Sequence, residues 1–252
     1  MNRSLHNTFY SGTSGLVLPV PQALYPPEFQ GKSRLTYYAS LFNSIEINSS
    51  FYKTPQVSTI IKWATSVPDT FRFTFKLSKA ITHVKGLDFR VDDMDHFMQT
   101  ISHVEDKKGC LLVQFPPGLK VEKLNQLQKL LLNIEEADTN HLWKVAIEFR
   151  NLSWYHEEVY NVLNEYKAGM VIHDLPASPT PLAESIGSFL YLRFHGPGGR
   201  YRGSYSDEFL HQYSQYMRAC LSKGKEVYFY FNNTMGDAVK NLQTINDFLN
   251  HN

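Results

Sequence analysis

Ser44-Ile45-Glu46-Ile47-Asn48 and Tyr191-Leu192-Arg193-Phe194-His195 follow one pattern. In an extended chain, successive side chains point to opposite faces. Ile45 and Ile47 then share one face of the first run, and Glu46 and Asn48 share the other. In the second run Leu192 and Phe194 oppose Tyr191, Arg193 and His195. Strands of a parallel sheet buried on both faces are normally apolar throughout. These two are strand-like in composition, yet each directs ionisable groups to a single face, and the groups gather towards the end of the run.

Working outward, the pattern recurs. In Phe71–Lys76, Phe73 and Phe75 oppose Thr74 and Lys76. In Cys110–Phe115, Gln114 follows Leu112 on one face. In Lys144–Phe149, Ala146 and Glu148 share a face with Arg150 beyond. In Val227–Asn232, Tyr228, Tyr230 and Asn232 align. Phe9–Ser14 and Met170–Asp174 complete eight strand candidates. Amphipathic helices separate them. Their stripes are Leu35/Tyr38/Ala39/Phe42, Val57/Ile60/Ile61/Ala64, Leu124/Leu127/Leu131/Ile134, Phe209/Tyr213/Tyr216/Cys220 and Ala238/Leu242/Ile245/Phe248. Thr54 with Pro55 is the expected start of the second of these, and Ser206 the expected cap of the fourth. Asp174–Gly187 holds three prolines, so the sixth unit is expected to be a loop or a single helical turn.

Eight strands alternating with helices give a closed barrel or a doubly wound open sheet. No dinucleotide-type glycine fingerprint follows the first strand. The expectation is α/β, a single (β/α)8 TIM barrel, with one domain over residues 1–252 and an incomplete sixth helix. Enzymes of this fold keep their sites at the C-terminal ends of the strands, where these charges collect.

Composition narrows the function classes. The chain has 252 residues, is 42% hydrophobic and 19% charged, and carries a formal charge of +1, so no global field draws it to nucleic acid or membrane. Two cysteines do not make a disulfide framework. Residues 1–10 hold no long apolar stretch of the signal-peptide type, and no run approaches a membrane span. A cytoplasmic protein is expected.

The candidate catalytic groups are Glu46, Lys76, Glu148, Asp174 and His195. Two carboxylates in unequal surroundings can serve as acid and base. A lysine with a depressed pKa can attack a carbonyl, and histidine can move a proton. The candidate ligand-binding residues are Asn48, Tyr52, His83, Gln114, Arg150, Trp154, Arg193, Arg200, Tyr205, Asn232 and Asn233. Arginines and lysine at the rim suit an anion, and so do the glycine-rich loop from His195 to Tyr205 and the helix start after Gly236. The bland alternative is a barrel filled by internal salt bridges, for example Glu46–Lys76 and Glu148–Arg193. Trp154 can equally cap the mouth, and Gln114 can simply end its strand. His83, His195, Glu46, Glu148 and Asp174 could offer a divalent metal ligands, but no short-spaced motif supports one, and no cofactor is expected.

In order along the chain stand Gly12-Thr13-Ser14-Gly15, Ile45-Glu46-Ile47-Asn48 with Phe51-Tyr52, and Phe73-Thr74-Phe75-Lys76. Then come Gln114-Phe115-Pro116-Pro117, Ile147-Glu148-Phe149-Arg150 with Ser153-Trp154, Tyr191 to Gly196, and Phe231-Asn232-Asn233-Thr234. With these the chain resembles the DUF72, or YecE-like, proteins. The resemblance implies a TIM barrel and leaves the activity open, since the family's name records none. A likeness to endonuclease IV-type barrels would imply a metal centre and a nucleic-acid or phosphosugar substrate, but the strand-end ligands of a three-metal site are too few here. The family's tryptophans around the first loop are replaced by Leu16–Leu24. The leading expectation is an enzyme acting on a small anionic, phosphorylated or carboxylated sugar-like ligand. The alternatives are a nucleic-acid or metabolite-binding protein without catalysis, and a metal-dependent phosphodiesterase. A structural scaffold is disfavoured by the charged interior. Duplex binding is disfavoured by the near-neutral charge.

Overall fold

A computed structural model describes residues 8–181 and 187–250. Eight parallel strands form a nearly closed barrel. They are β1 (Phe9–Thr13), β2 (Ser44–Ile47), β3 (Arg72–Lys76), β4 (Lys108–Gln114), β5 (Lys144–Glu148), β6 (Gly169–His173), β7 (Phe189–Phe194) and β8 (Glu226–Phe231). Each expected strand is present within one or two residues of its expected bounds. Between them run helices α1 (Arg34–Leu41), α2 (Val57–Thr65), α3 (Lys79–Thr82), α4 (Val91–Ile101), α5 (Leu124–Ala137), α6 (Glu157–Glu165), α7 (Asp207–Ser222) and α8 (Ala238–Asn250).

Strand parity divides the core into two shells. Ile45, Phe73, Phe75, Leu111, Val113, Ile147, Leu192 and Phe229 face outward and are buried under the helices. Tyr10, Cys110, Leu112, Ala146, Val171, Phe189, Tyr191, Tyr228 and Tyr230 fill the inside. Each large apolar side chain so buried is worth about 1.5–3 kcal/mol. The high aromatic content has its use here, because a few tyrosine rings fill the barrel. The Tyr10 and Tyr228 rings stack at 4.9 Å, and Tyr191 lies 5.3 Å from Tyr230. Cys110 and Cys220 are free and buried.

The seam between β1 and β2 is closed differently from the other seven. Its backbone contact is a single bridge at Ser14 and Glu46, where the Gly15 amide donates to the Glu46 carbonyl at 2.7 Å. Below that point side chains supply the bonds. The Ser11 amide donates to Asn43 Oδ1 at 2.9 Å, and Asn43 Nδ2 donates to the Phe9 carbonyl at 2.7 Å. The Tyr38 hydroxyl accepts from the Thr13 amide at 2.7 Å and donates to the Ser44 carbonyl at 3.1 Å. Gly12 permits the close approach, because a Cβ there would stand 2.0 Å from the Ser44 carbonyl oxygen.

Two local expectations need correction. Helix α2 begins at Val57 with Gln56 as its N-cap, so Thr54 and Pro55 lie in extended chain before it. Within α7, Leu210, Ser214, Met217 and Cys220 are the buried residues, and Phe209, Tyr213 and Tyr216 flank them only partly buried. The Ser206 cap is present, its hydroxyl accepting from the Phe209 amide. After β6, residues 174–181 form turns without a helix, and 182–186 of the expected loop lie outside the described residues. No helix among the described residues is long and apolar enough to cross a membrane.

Candidate functional site

The inward-facing side chains change character along the barrel axis. At the bottom are aromatic rings. Midway, the Tyr230 hydroxyl meets Ser44 Oγ at 2.6 Å and Thr74 Oγ1 at 2.7 Å, so each of these buried hydroxyls has a partner. Above this layer, towards the C-terminal ends of the strands, lies a cluster of charge.

Arg193 on β7 is its hub. Its Nε donates to both carboxylate oxygens of Glu46 at 3.0 Å, and its Nη2 donates to Glu46 Oε1 at 2.8 Å and to Asn48 Oδ1 at 3.4 Å. Its Nη1 donates to Glu148 Oε2 at 3.2 Å and to His195 Nε2 at 2.8 Å. A guanidinium has five N–H donors, and all are engaged inside the protein. Arg193 therefore has no donor left for a ligand in this conformation. It holds two carboxylates from opposite parts of the barrel.

Both carboxylates are fully buried. Burial pushes the Glu46 carboxyl up, but Arg193 and the hydrogen bond from the Tyr191 hydroxyl outweigh it and hold it below the usual range. Burial also acts on Glu148, and Arg150 and then Arg193 hold it well below that range. Arg150 Nε donates to Glu148 Oε1. Two carboxylates so held are ionised acceptors at neutral pH, not proton donors.

His195 is read from its neighbours. Its Nε2 receives N–H groups from Arg193 and from Arg150 Nη2, the latter at 3.1 Å. Arginine can only donate, so Nε2 carries no proton. Nδ1 carries the proton and donates to Asp174 Oδ1 at 3.3 Å. Burial, with the two arginines, lowers the imidazole pKa to about 4 against the support of Asp174. The Asp174 Oδ1 also accepts the His195 amide at 2.8 Å, and Asp174 Oδ2 accepts the Tyr205 hydroxyl, which itself accepts the Gly196 amide at 2.6 Å. Asp174 and Tyr205 thus tie the β7 loop to the ring they orient.

Lys76, at the end of β3, differs from every other charge in the cluster. It donates to Gln114 Oε1 at 2.8 Å and lies 4.2 Å above the Phe51 ring. Among the described residues it has no salt-bridge partner, so the expected Glu46–Lys76 pair is replaced by Glu46–Arg193. Burial, together with the nearby Arg193, lowers its pKa to about 8, Glu148 and Glu46 restoring only part. The exposed His83 sits against the same Phe51 ring at 4.9 Å. Its pKa is also lowered, by burial and then by Lys76 and Arg150. Arg150 Nη1 makes no hydrogen bond among the described residues. Arg150 thus acts electrostatically on Lys76, and both act on His83, beside two carboxylates already held by arginines.

The remaining candidates divide. Asn48 and Gln114 belong to the cluster, and Asn232 stands buried at the end of β8. Tyr52 is exposed, with Lys79 5.5 Å from its ring. Arg200 lies exposed on the β7 loop. Asn233 is buried, and its Nδ2 donates to the Gly203 carbonyl and to Asn241, fastening loops to α8. Trp154 is fully buried between helix and strand, stacked 4.8 Å from Phe149, with its indole N–H donated to the Leu119 carbonyl. It supports the β5 loop from beneath and does not face the mouth. Two contributors went unnamed as candidates: Tyr191, whose inward parity was visible, and Phe51, whose position in the 3-10 turn after β2 was not. Among the described residues no three His, Cys, Asp or Glu side chains converge as a metal-ligand set.

Eight parallel strands with helices between them define a (β/α)8 barrel, here with a buried charge cluster at the C-terminal rim. The family model described as "Protein of unknown function DUF72" matches residues 10–252, and the chain belongs to that family. It is 28% identical to the UPF0759 protein YunF of Bacillus subtilis over 87% of either chain. A DUF72 family protein from Enterococcus faecalis V583 superimposes with a TM-score of 0.80 at 24% identity, covering 97% of this chain and 96% of that one. One from Thermotoga maritima does so at 0.77 and 27% identity, covering 96% and 99%. An AP endonuclease of family 2 from Brucella melitensis shares the fold at 0.56 with 11% identity, covering 90% and 92%. A D-psicose 3-epimerase shares it at 0.52 with 10%, covering 85% and 88%.

Proposed function

We propose that the rim is a binding and reaction site for a small anionic, sugar-like molecule carrying a phosphate or carboxylate. The observation that carries this is Lys76, a rim cation with no carboxylate partner among the described residues. Glu46 and Glu148 are held by Arg193 and Arg150, and Asp174 is engaged by His195 and Tyr205, while Lys76 donates to the neutral Gln114. An anion placed there would offset the burial, and then the neighbouring positive charge, that lower the Lys76 and His83 pKa values. Asn48, Gln114 and Asn232 supply hydrogen bonds for hydroxyls. Lys76 is the group suited to acid–base work, since its pKa of about 8 lies near the operating range of a catalyst. Glu148, Glu46 and His195 then act by fixing the arginines, and Asp174 by orienting His195. The epimerase and endonuclease neighbours agree with sugar or sugar-phosphate chemistry only through a shared fold, which is a weak warrant.

A second reading, binding without turnover, is favoured by one observation: both buried carboxylates are saturated with donors. Thermal shift across sugar phosphates, small carboxylates, nucleotides and divalent metals tests both. A ligand at about one hundred times its dissociation constant adds about 2.7 kcal/mol to stability. The expected result is a saturable rise with an anionic sugar that is lost in Lys76→Gln. An equal rise in that variant, or no rise with any anion, removes the proposal. A rise without consumption of the ligand selects the binding reading.

A further inference from the structure

We propose that Lys76 is the reacting amine of the rim, condensing with the carbonyl of a small anionic aldehyde or ketone to form an imine. This rests on the anion-site reading above and adds a substrate class and a covalent step.

The placement of Lys76 carries the inference. A lysine used only for its charge is normally paired with a carboxylate or left in water. Here the two adjacent carboxylates are bound by arginines, and the ammonium is instead held by one neutral acceptor, Gln114 Oε1 at 2.8 Å. Gln114 is itself fixed, its Nε2 donating to the Phe115 carbonyl at 2.7 Å. Phe51 covers one side of the amine at 4.2 Å and shields it from water. One N–H is therefore oriented, and the only contact among the described residues that favours the charged form is the face of the Phe51 ring, with no carboxylate paired to the amine. The burial and neighbouring cations that favour the neutral amine are those that activate lysines for attack on carbonyls. Arg150 Nη1 provides a separate anchor for the anionic end of the substrate, so that its charge is matched away from the amine.

The step balances without any redox partner. The Nζ lone pair attacks the carbonyl carbon, and the C–O π pair moves to oxygen, which takes a proton. Nitrogen loses one proton, and the carbinolamine hydroxyl leaves as water once protonated. The nitrogen lone pair closes the C=N bond, so amine, carbonyl and the one donated proton give a protonated imine and water, and the imine returns that proton to the donor when it becomes neutral. His83, edge-on to the Phe51 ring at 4.9 Å, is the nearby group that can hand over that proton.

The test is reductive trapping. The full chain is incubated near neutral pH with cyanoborohydride and pyruvate or glyceraldehyde 3-phosphate, with acetone as the uncharged comparison, and adducts are located by peptide mass mapping. In parallel, thermal shift is read with inorganic phosphate and with oxalate, which cannot form an imine. The expected result is an adduct at Lys76 forming at least about tenfold faster than at exposed lysines, whose amines are almost wholly protonated there. It should require the charged probes, and Lys76→Arg, which keeps the cation, should lack it while retaining part of the phosphate shift. If phosphate and oxalate stabilise the protein but Lys76 is trapped no faster than surface lysines, the imine is refuted and the anion site stands. If neither occurs, both fall. Trapping by acetone as readily as by the anions also overturns the substrate class.

Discussion

Arg193 and Lys76 are both cations at the barrel mouth, yet they should respond to removal in opposite ways. Arg193 satisfies Glu46 and shares Glu148 with Arg150, so Arg193→Met leaves the buried Glu46 without its counter-charge and Glu148 with one of two. Breaking a buried ion pair from one side typically costs about 3–5 kcal/mol, and urea unfolding should show a loss of that order. Lys76 is desolvated among other cations, and its pKa falls to about 8. The unfolded chain binds its proton more tightly, so the charged lysine lowers stability at neutral pH. Lys76→Met should therefore raise the unfolding free energy by about 1 kcal/mol at neutral pH while abolishing the thermal response to anions. A fall in stability instead would show that the Gln114 bond outweighs the desolvation. Alternation along the strands identified which residues meet, but not which pair. Glu46 and Arg193 lie on β2 and β7, 147 residues apart, and side-chain length across the barrel decides their contact.

The β1–β2 seam is the element most dependent on particular residues. Gly12→Ala would push a methyl group into the Ser44 carbonyl, which is backbone and cannot turn aside. It should destabilise by several kcal/mol or prevent folding, beyond the roughly 0.5–3 kcal/mol of ordinary substitutions. Tyr38→Phe keeps the ring but strands the Thr13 amide, and should cost about 1–3 kcal/mol. If both variants unfold at the wild-type urea midpoint, side chains do not close the seam. These elements were unevenly legible. Eight strands and their order followed from alternation and spacing, and the Ser206 cap from local chemistry. The start of α2 did not, because Thr54-Pro55 resembles a cap and first turn, whereas Gln56 is extended, with ψ of 145°, and delays the helix to Val57. The seam was invisible, since Asn43 and Tyr38 look like ordinary loop and core residues until β1 and β2 meet.

At the scale of the whole molecule, the charge cluster sets how stability depends on pH. The folded-state pKa of His195 is lowered from 6.5 to about 4. Between those values the unfolded chain binds more protons, so stability is lost as pH falls through that window. Glu148 and Glu46, held below 4.5, add a further loss as pH drops below that value. Urea midpoints should thus decline from near 6.5 downward and steepen at the acid end, and His195→Asn should flatten the upper part. An unchanged midpoint over the His195 window would mean that the ring is not held neutral.

The central claim is that the rim keeps one desolvated cation ready for an anion. It is tested most directly by titrating lysine side chains labelled with 13C at Cε, followed by NMR with and without inorganic phosphate, and assigning Lys76 by its absence in Lys76→Arg. The account predicts one resonance titrating near 8 and moving to higher pH when phosphate binds. A Lys76 resonance titrating with the rest near the ordinary value of about 10.4, and indifferent to phosphate, would contradict it.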